Sequence, residues 1–255
     1  EPKRELRVLF DAIYIHIYIY VGVGGVMLRG ATTKAASSFR GGVLCRRRTH
    51  HRAVNHHHHQ QHRVYAAATE EERTTRDMID LRVGKVTKCE VHPDADKLYV
   101  EEIDLREPEG PRTICSGLVP FMHAEDILGK NVIVVANLKA RKMQGIKSHG
   151  MLLAASNETH DQVELLVAPD NAKLGSRVQF GDATFNGEPA TANQVHKKKY
   201  WEAFGPELVT NGEMEASWKE DGAVMRVELE GSGEEGEEKQ FGSVKCQSLT
   251  NALVG

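Results

Sequence analysis

The stretch MIDLRVGKVTKCEVHPDADKLYVEEIDL (78–105) decides the fold. Two runs of roughly alternating apolar residues, 79–91 and 98–105, flank the segment HPDAD (92–96). Alternation with a period of two is typical of strands that bury one face, and Pro and Asp favour a turn between them. The stretch therefore predicts an antiparallel hairpin at the start of a β-rich domain.

Further short apolar runs follow at 113–118, 132–138 and 150–155, with one or two helical turns predicted at 124–128. Short strands with a single helix between the third and fourth are typical of an OB-type barrel. After about residue 180 the pattern changes to turn signals, a strand-like run at 223–229 and an acidic loop at 231–239. We therefore predict an all-β protein in which an OB-fold barrel (75–181) precedes a smaller β-rich C-terminal domain (182–255).

Residues 1–74 differ in composition from the rest and are predicted to be a disordered leader. They carry a formal net charge of +6 against −9 for residues 75–255, and no Asp or Glu occurs between Ala12 and Thr69. Such a stretch is typical of an organellar transit peptide, for a plastid or mitochondrion, or of a generic basic tail in a cytoplasmic protein. Residues 1–26 are either a signal-like apolar segment or untranslated sequence that precedes a start at Met27.

Candidate catalytic and metal-binding patterns are weak. The histidine tract at 56–59 and the segment HPDAD lack convergent ligands, and the four cysteines show no zinc or disulfide spacing. Cys115 could pair with His123 as a thiol nucleophile and base, but it falls within an apolar strand. KMQGIKS (142–148) has no His-x-Gly-His partner for synthetase chemistry. We therefore predict no enzymatic activity, no cofactor and no metal.

One segment favours nucleic-acid binding. Residues 127–157 contain no acidic residue, and Lys130 and the four basic residues predicted to contact RNA fall there. Asn137 and Ser148 are predicted to add hydrogen bonds to phosphate or to a 2′-hydroxyl. The alternative is a solvated hairpin face without a ligand. The predicted site is Asn137, Lys139, Arg141, Lys142, Lys147 and Ser148.

Aromatic residues are scarce in the predicted barrel, which contains only Tyr99, Phe121 and Phe180. Proteins that bind single strands usually offer several aromatic side chains for base stacking. A folded RNA recognised through its backbone shape is therefore the better target.

The stretches 78–105, 116–119, 137–156 and 197–208 resemble the tRNA-binding domain that several synthetase-associated proteins share. Among these are the endothelial monocyte-activating polypeptide II region of the multisynthetase complex and the C-terminal modules of some methionyl- and tyrosyl-tRNA synthetases. The resemblance spans about 180 residues, which makes it more specific than any one short motif.

The resemblance implies a non-catalytic factor that binds tRNA and delivers it to an aminoacyl-tRNA synthetase, without a membrane partner. Two alternatives remain open: the C-terminal appendage of a longer synthetase, and a secreted cytokine-like polypeptide. Bacterial relatives of the barrel dimerise, whereas the extra C-terminal domain covers the equivalent surface. The resemblance therefore implies a monomer, with Tyr200, Trp201 and Phe204 as anchors of that domain.

Overall fold

The computed structural model describes residues 73–183, 185, 187–231 and 238–255. The predictions for the leader, the transit peptide and the histidine tract therefore concern residues outside the described part, apart from residues 73 and 74. Within the described part, no helix has the length and hydropathy needed to cross a membrane.

The predicted hairpin is confirmed. Strand β1 (Leu81–His92) pairs antiparallel with β2 (Ala95–Asp104), and on its other edge β1 pairs with β4 (Asn131–Val135). β2 also pairs with β3 (Arg112–Ser116), and β4 pairs with the short strand β7 (Met151–Leu152). These pairings give a five-stranded sheet in the order β3-β2-β1-β4-β7.

The sheet closes into a barrel where its two outer strands meet. The backbone N–H of His149, just before β7, donates a 2.9 Å hydrogen bond to the carbonyl oxygen of Thr113 in β3. Helix α2 (Ala124–Ile127) lies between β3 and β4, and its residue Ile127 is fully buried. This strand order, the closure and the position of the helix confirm the OB-type barrel.

The remaining elements are short. A single helical turn, α1 (Thr75–Met78), precedes the barrel. The other strands are β5 (Arg141–Met143), β6 (Ile146–Ser148), β8 (Ala154–Ser156), β9 (Val163–Leu165), β10 (Gln179–Phe180), β11 (Leu208–Thr210), β12 (Ala216–Trp218), β13 (Met225–Glu228), β14 (Phe241–Ser243) and β15 (Leu253–Val254). The other helices are α3 (Ala192–Lys198), α4 (Tyr200–Phe204) and the 3-10 turn Gly205–Glu207.

The barrel interior follows from the alternation seen in the sequence. One cluster of buried side chains contains Tyr99, Ile103 and Leu105, which pack with Ile114 and Val134. Because these residues alternate along paired strands, their side chains project to the same face of the sheet. The hydrophobic pattern therefore fixes the register of the strands around this core.

Two sheets contain strands from both sides of the predicted boundary at residues 181 and 182. β15 lies between β11 and the barrel strand β8, and β10 pairs with β13. Phe204 of α4 is fully buried and packs edge-on against Phe180, with ring centroids 6.0 Å apart. The C-terminal residues thus form sheets with strands that precede residue 181, and they share a hydrophobic core with residues of the barrel.

Helices α3 and α4 are set by local sequence. Thr191 caps α3 by accepting a hydrogen bond from the Gln194 N–H, and the Gln194 side chain accepts one from the Thr191 N–H. This reciprocal arrangement satisfies free donors at the start of the helix. Lys199 adopts a left-handed conformation (φ 54°) and separates the two helices. The change of direction brings Trp201 beside the loop between β4 and β7.

Candidate nucleic-acid interface

Three of the four predicted basic residues lie on a two-stranded hairpin, β5–β6, that follows β4 and precedes β7, and Lys139 lies just before it. We call residues 141–148 the basic hairpin. Its turn is formed by Gln144 and Gly145, both with positive φ, at 41° and 97°. A tight turn of this type matches the twist of its two strands, and glycine adopts it without steric conflict. In OB-folds, the loop at this position and the loop between the first two strands commonly bind oligonucleotides.

The two lysines of the basic hairpin face each other. Lys142 and Lys147 are partners in the β5–β6 register, and both are exposed, as are Lys139 and Arg141. None of these four cations forms an ion pair with another residue in the part of the chain that the structure describes. Like charges directly opposite each other destabilise a strand pair. The hairpin thus holds uncompensated positive charge that an anion would stabilise.

A small apolar cluster fixes the hairpin to the barrel. Met143 is 8% exposed and packs with Leu98 of β2 and Cys115 of β3. Met143 points inward from β5, whereas its neighbour Lys142 is exposed. The alternation of strand side chains thereby directs Lys142 outward.

His92, the last residue of β1, makes a second link to the hairpin. Its Nδ1 accepts a 3.0 Å hydrogen bond from the Asp94 N–H, and its Nε2 lies 3.2 Å from the Met143 carbonyl oxygen. With Nδ1 as acceptor, Nε2 carries the proton and donates to Met143. His92 is 2% exposed. It therefore joins the two loops that flank the binding face of an OB-fold.

Arg112 holds both ends of the segment that carries the basic residues. One guanidinium nitrogen donates to the carbonyl oxygens of Ala136, at 2.6 Å, and His149, at 3.0 Å. The other two nitrogens bind both carboxylate oxygens of Glu107 at 2.6 Å. This pairing lowers the pKa of Glu107 and keeps it charged. A planar fork of donors is needed to make all four contacts.

The two predicted polar side chains, Asn137 and Ser148, form hydrogen bonds with the backbone at the ends of the same segment. Both amide hydrogens of Asn137 donate to backbone carbonyls, of Met78 at 2.8 Å and Ala190 at 2.9 Å. The Ser148 hydroxyl is 3% exposed, donates to the Gly150 carbonyl and accepts from the Cys115 N–H. Neither side chain has a donor left for a phosphate oxygen. The structure therefore gives Asn137 and Ser148 positioning roles, in place of the predicted direct hydrogen bonds.

A cavity of about 400 Å³ lies beside the basic hairpin. Residues of the loop, among them Lys139, Ala140 and Arg141, form one wall, and residues of α3 and α4, among them Trp201 and Glu202, form the other. Sequence reasoning missed this cavity, and it missed Arg112 and His92 as positioning residues. The signal was absent because each contact joins segments that are distant along the chain.

Cys115 is unsuited to nucleophilic catalysis. It is fully buried, and burial together with the nearby Glu101 raises the pKa of its thiol to about 11. Nucleophilic cysteines are partly exposed and have lowered pKa values. In the described residues, no group of three His, Cys, Asp or Glu side chains could hold a metal ion.

An OB barrel with an unpaired basic hairpin in this loop defines a nucleic-acid-binding module. Residues 81–177 match the family model described as "Putative tRNA binding domain". The chain belongs to this tRNA-binding domain family. The match covers β1 to β9 and includes the whole basic hairpin.

Two curated relatives match a longer part of the chain than the family model does. The chain is 47% identical over 161 residues to "Probable methionine--tRNA ligase" of Oryza sativa subsp. japonica, which covers 61% of this chain and 20% of that protein. It is 37% identical over 177 residues to "tRNA-aminoacylation cofactor arc1" of Schizosaccharomyces pombe, which covers 69% of this chain and 38% of that protein. The chain thus spans well under half the length of both relatives.

A solved structure supports the fold over the same region. The C-terminal domain of Plasmodium vivax p43 is 32% identical to this chain and superposes with a TM-score of 0.58. The similarity covers 70% of this chain and 98% of that domain. The matched region is a tRNA-binding domain, and its relatives include both an aminoacylation cofactor and a synthetase.

Proposed function

We propose that this protein is a non-catalytic tRNA-binding factor that delivers tRNA to an aminoacyl-tRNA synthetase. Arg141, Lys142 and Lys147 of the basic hairpin contact the tRNA backbone, together with Lys139 just before the hairpin. The observation that carries this proposal is the facing pair Lys142 and Lys147, which is exposed and lacks acidic partners among the described residues.

Local charge matters here because the region 75–255 carries a net charge of −9. A nucleic-acid-binding domain usually has an overall basic surface, and phosphate contacts supply most of its affinity. In this protein the attraction comes from the hairpin, while Arg112, His92 and Met143 fix the hairpin's position. We therefore expect modest affinity for tRNA alone, with a steep dependence on salt.

Delivery to a synthetase follows from tethering. A weak tRNA-binding module held near a synthetase raises the effective concentration of tRNA at its active site. The S. pombe relative, whose name describes an aminoacylation cofactor, supports this role. A second candidate is the C-terminal appendage of a longer synthetase, favoured by the identity to part of the rice ligase. A full-length transcript distinguishes the two, because only the second encodes a catalytic domain in the same reading frame.

The direct test is the tRNA affinity of the purified protein, measured by fluorescence anisotropy from about 50 to 200 mM salt, a range over which phosphate contacts weaken strongly. We expect the logarithm of the affinity to fall linearly with the logarithm of salt. A partner synthetase should also charge tRNA faster at limiting tRNA when the protein is added. Salt-independent binding, or none, would overturn the proposal.

An organellar location stays a prediction that rests on the leader. Sequencing the mature N-terminus from isolated plastids and mitochondria tests it, and a cytoplasmic protein that retains the leader would contradict it.

A further inference from the structure

The 400 Å³ cavity beside the basic hairpin is the strongest feature that the proposed function leaves unused. Its walls are mostly apolar and include Met143, Met151, Val195 and Trp201. Binding pockets for small organic groups are typically a few hundred Å³, with apolar walls and a few polar groups. The cavity is therefore large enough for a single planar ring system.

The aromatic wall is Trp201 of α4. Its indole is partly buried, lines the cavity and packs against Phe204, with ring centroids 5.8 Å apart. Gly205 lies against the same ring, and a Cβ at Gly205 would be 3.4 Å from Cζ2 of the indole. The contacts with Phe204 and Gly205 hold the indole at the cavity without removing it from the lining.

Charge at the rim identifies the kind of ligand. Lys139 and Arg141 lie on the hairpin side, and His196 of α3 lines the opposite side. Glu202 contributes a carboxylate to the lining. An apolar slot with an aromatic wall and two cations, Lys139 and Arg141, on one side suits a base inside and its phosphate outside. The carboxylate of Glu202 can accept a hydrogen bond from a base amino group.

We propose that this cavity binds one unpaired nucleotide of the bound RNA, with its base stacked on Trp201 and its phosphate beside Lys139 and Arg141. This inference rests on the proposed RNA-binding function and deepens it. The scarcity of aromatic residues inside the barrel is consistent with a single stacking position outside it. The protein thus recognises a double-stranded backbone with the hairpin and one unstacked base with the cavity.

The test compares two RNA probes: a blunt duplex, and the same duplex with one bulged adenosine. The wild-type full chain should bind the bulged probe about tenfold more tightly, which is within the usual contribution of one base–aromatic stack. Trp201→Leu should abolish this preference and leave affinity for the blunt duplex unchanged. Binding of the bulged probe should also quench tryptophan fluorescence in the wild type but not in Trp201→Leu.

Because Trp201 packs on the core, a second variant guards against a folding defect. Ala140→Phe fills the cavity from the loop side without removing a core contact, and it should abolish the same preference. If both variants keep the preference for the bulged probe, the cavity does not bind a base and the proposal is wrong. If Lys142→Ala/Lys147→Ala loses all RNA binding while the cavity variants keep the preference for the bulged probe, only the inference about the cavity is wrong. The proposed tRNA-binding function then stands. Unchanged binding in the double lysine variant would instead overturn the proposed function.

Discussion

Lys142 of β5 and Lys147 of β6 are directly opposite each other in the hairpin register, and both ammonium groups are exposed. In an antiparallel pair the Cβ atoms of opposite residues lie about 5 Å apart, so the two charges repel each other. A sequence selected for stability alone would place an acidic residue at one of these positions. The arrangement is instead that of a site that holds its charge for a ligand.

Replacing both lysines, Lys142→Ala/Lys147→Ala, should weaken tRNA binding by about tenfold or more at low salt. The salt slope should fall by up to about two units, because two phosphate contacts are lost. The thermal midpoint should stay the same or rise slightly, because the repulsion is removed. The measurements are anisotropy titrations at several salt concentrations and a thermal melt.

The matched control is Lys130→Ala/Lys219→Ala, which removes two exposed lysines outside the hairpin. It changes the net charge equally and should leave the salt slope almost unchanged. Equal effects of both double variants would show that general charge, and not the hairpin, governs binding.

Replacing His92 should act through stability. His92→Ala removes the bonds to Asp94 and Met143 and should lower the free energy of unfolding by about 1–3 kcal/mol. The salt slope of tRNA binding should not change. Asp94→Ala is the control, since only the backbone N–H of Asp94 takes part. A changed slope in a stable His92→Ala protein would place His92 in the RNA interface.

Arg112→Lys should reduce tRNA affinity several-fold by loosening both ends of the hairpin segment. Lysine lacks the planar fork that reaches Glu107, Ala136 and His149 together. Because no phosphate contact is lost, the salt slope should be unchanged. Arg106→Lys, at a largely exposed arginine, is the control. If Arg112→Lys binds tRNA with wild-type affinity, the two ends of the hairpin segment keep their positions without the contacts of Arg112.

The stability of the barrel should depend on pH through Glu101. This residue is fully buried, Ser116 donates to one of its carboxylate oxygens, and burial raises its pKa to about 8. The folded state then keeps a proton that the unfolded state releases above its ordinary pKa. The contribution of protonated Glu101 to the free energy of unfolding is fully present below the ordinary glutamate pKa. It is lost as the pH rises through about 8.

Glu101→Gln should remove this dependence. The difference in unfolding free energy between variant and wild type should grow in favour of the variant by on the order of 2 kcal/mol from pH 6 to pH 8. Denaturant unfolding at both pH values measures it. Comparing the two proteins at each pH cancels the contributions of other groups. A constant difference would show that Glu101 is already charged at pH 6.

The oligomeric state is a further prediction. Phe204 of α4 packs in the core that the C-terminal residues share with the barrel, and the family resemblance predicts that this domain takes the place of a dimer contact. We expect a monomer, and sedimentation equilibrium at micromolar concentration measures this. A dimer at that concentration would contradict the prediction.

Most of the barrel could be predicted because its signals are local. The alternation at 79–91 and 98–105 corresponds to β1 and β2, and the helical turn expected at 124–128 is α2 at Ala124–Ile127. The clustering of the four basic residues in one acid-free segment could also be predicted, and three of them lie on the basic hairpin, with Lys139 just before it. The positioning roles of Arg112 and His92 could not be predicted, because Ala136, His149 and Met143 lie far from them along the chain. Asn137 and Ser148 were correctly placed in this segment, but a sequence does not show that their donors are already used.

Strand β15 has a consequence for protein synthesis. It lies between β8 and β11, so the edge of β8 has no partner until Leu253 and Val254 have emerged from the ribosome. An unpaired strand edge is prone to associate with other chains, and incomplete domains are most exposed to this during translation. A ribosome stalled shortly before these codons would therefore carry a nascent chain with an open sheet, and such chains should be the ones that chaperones bind.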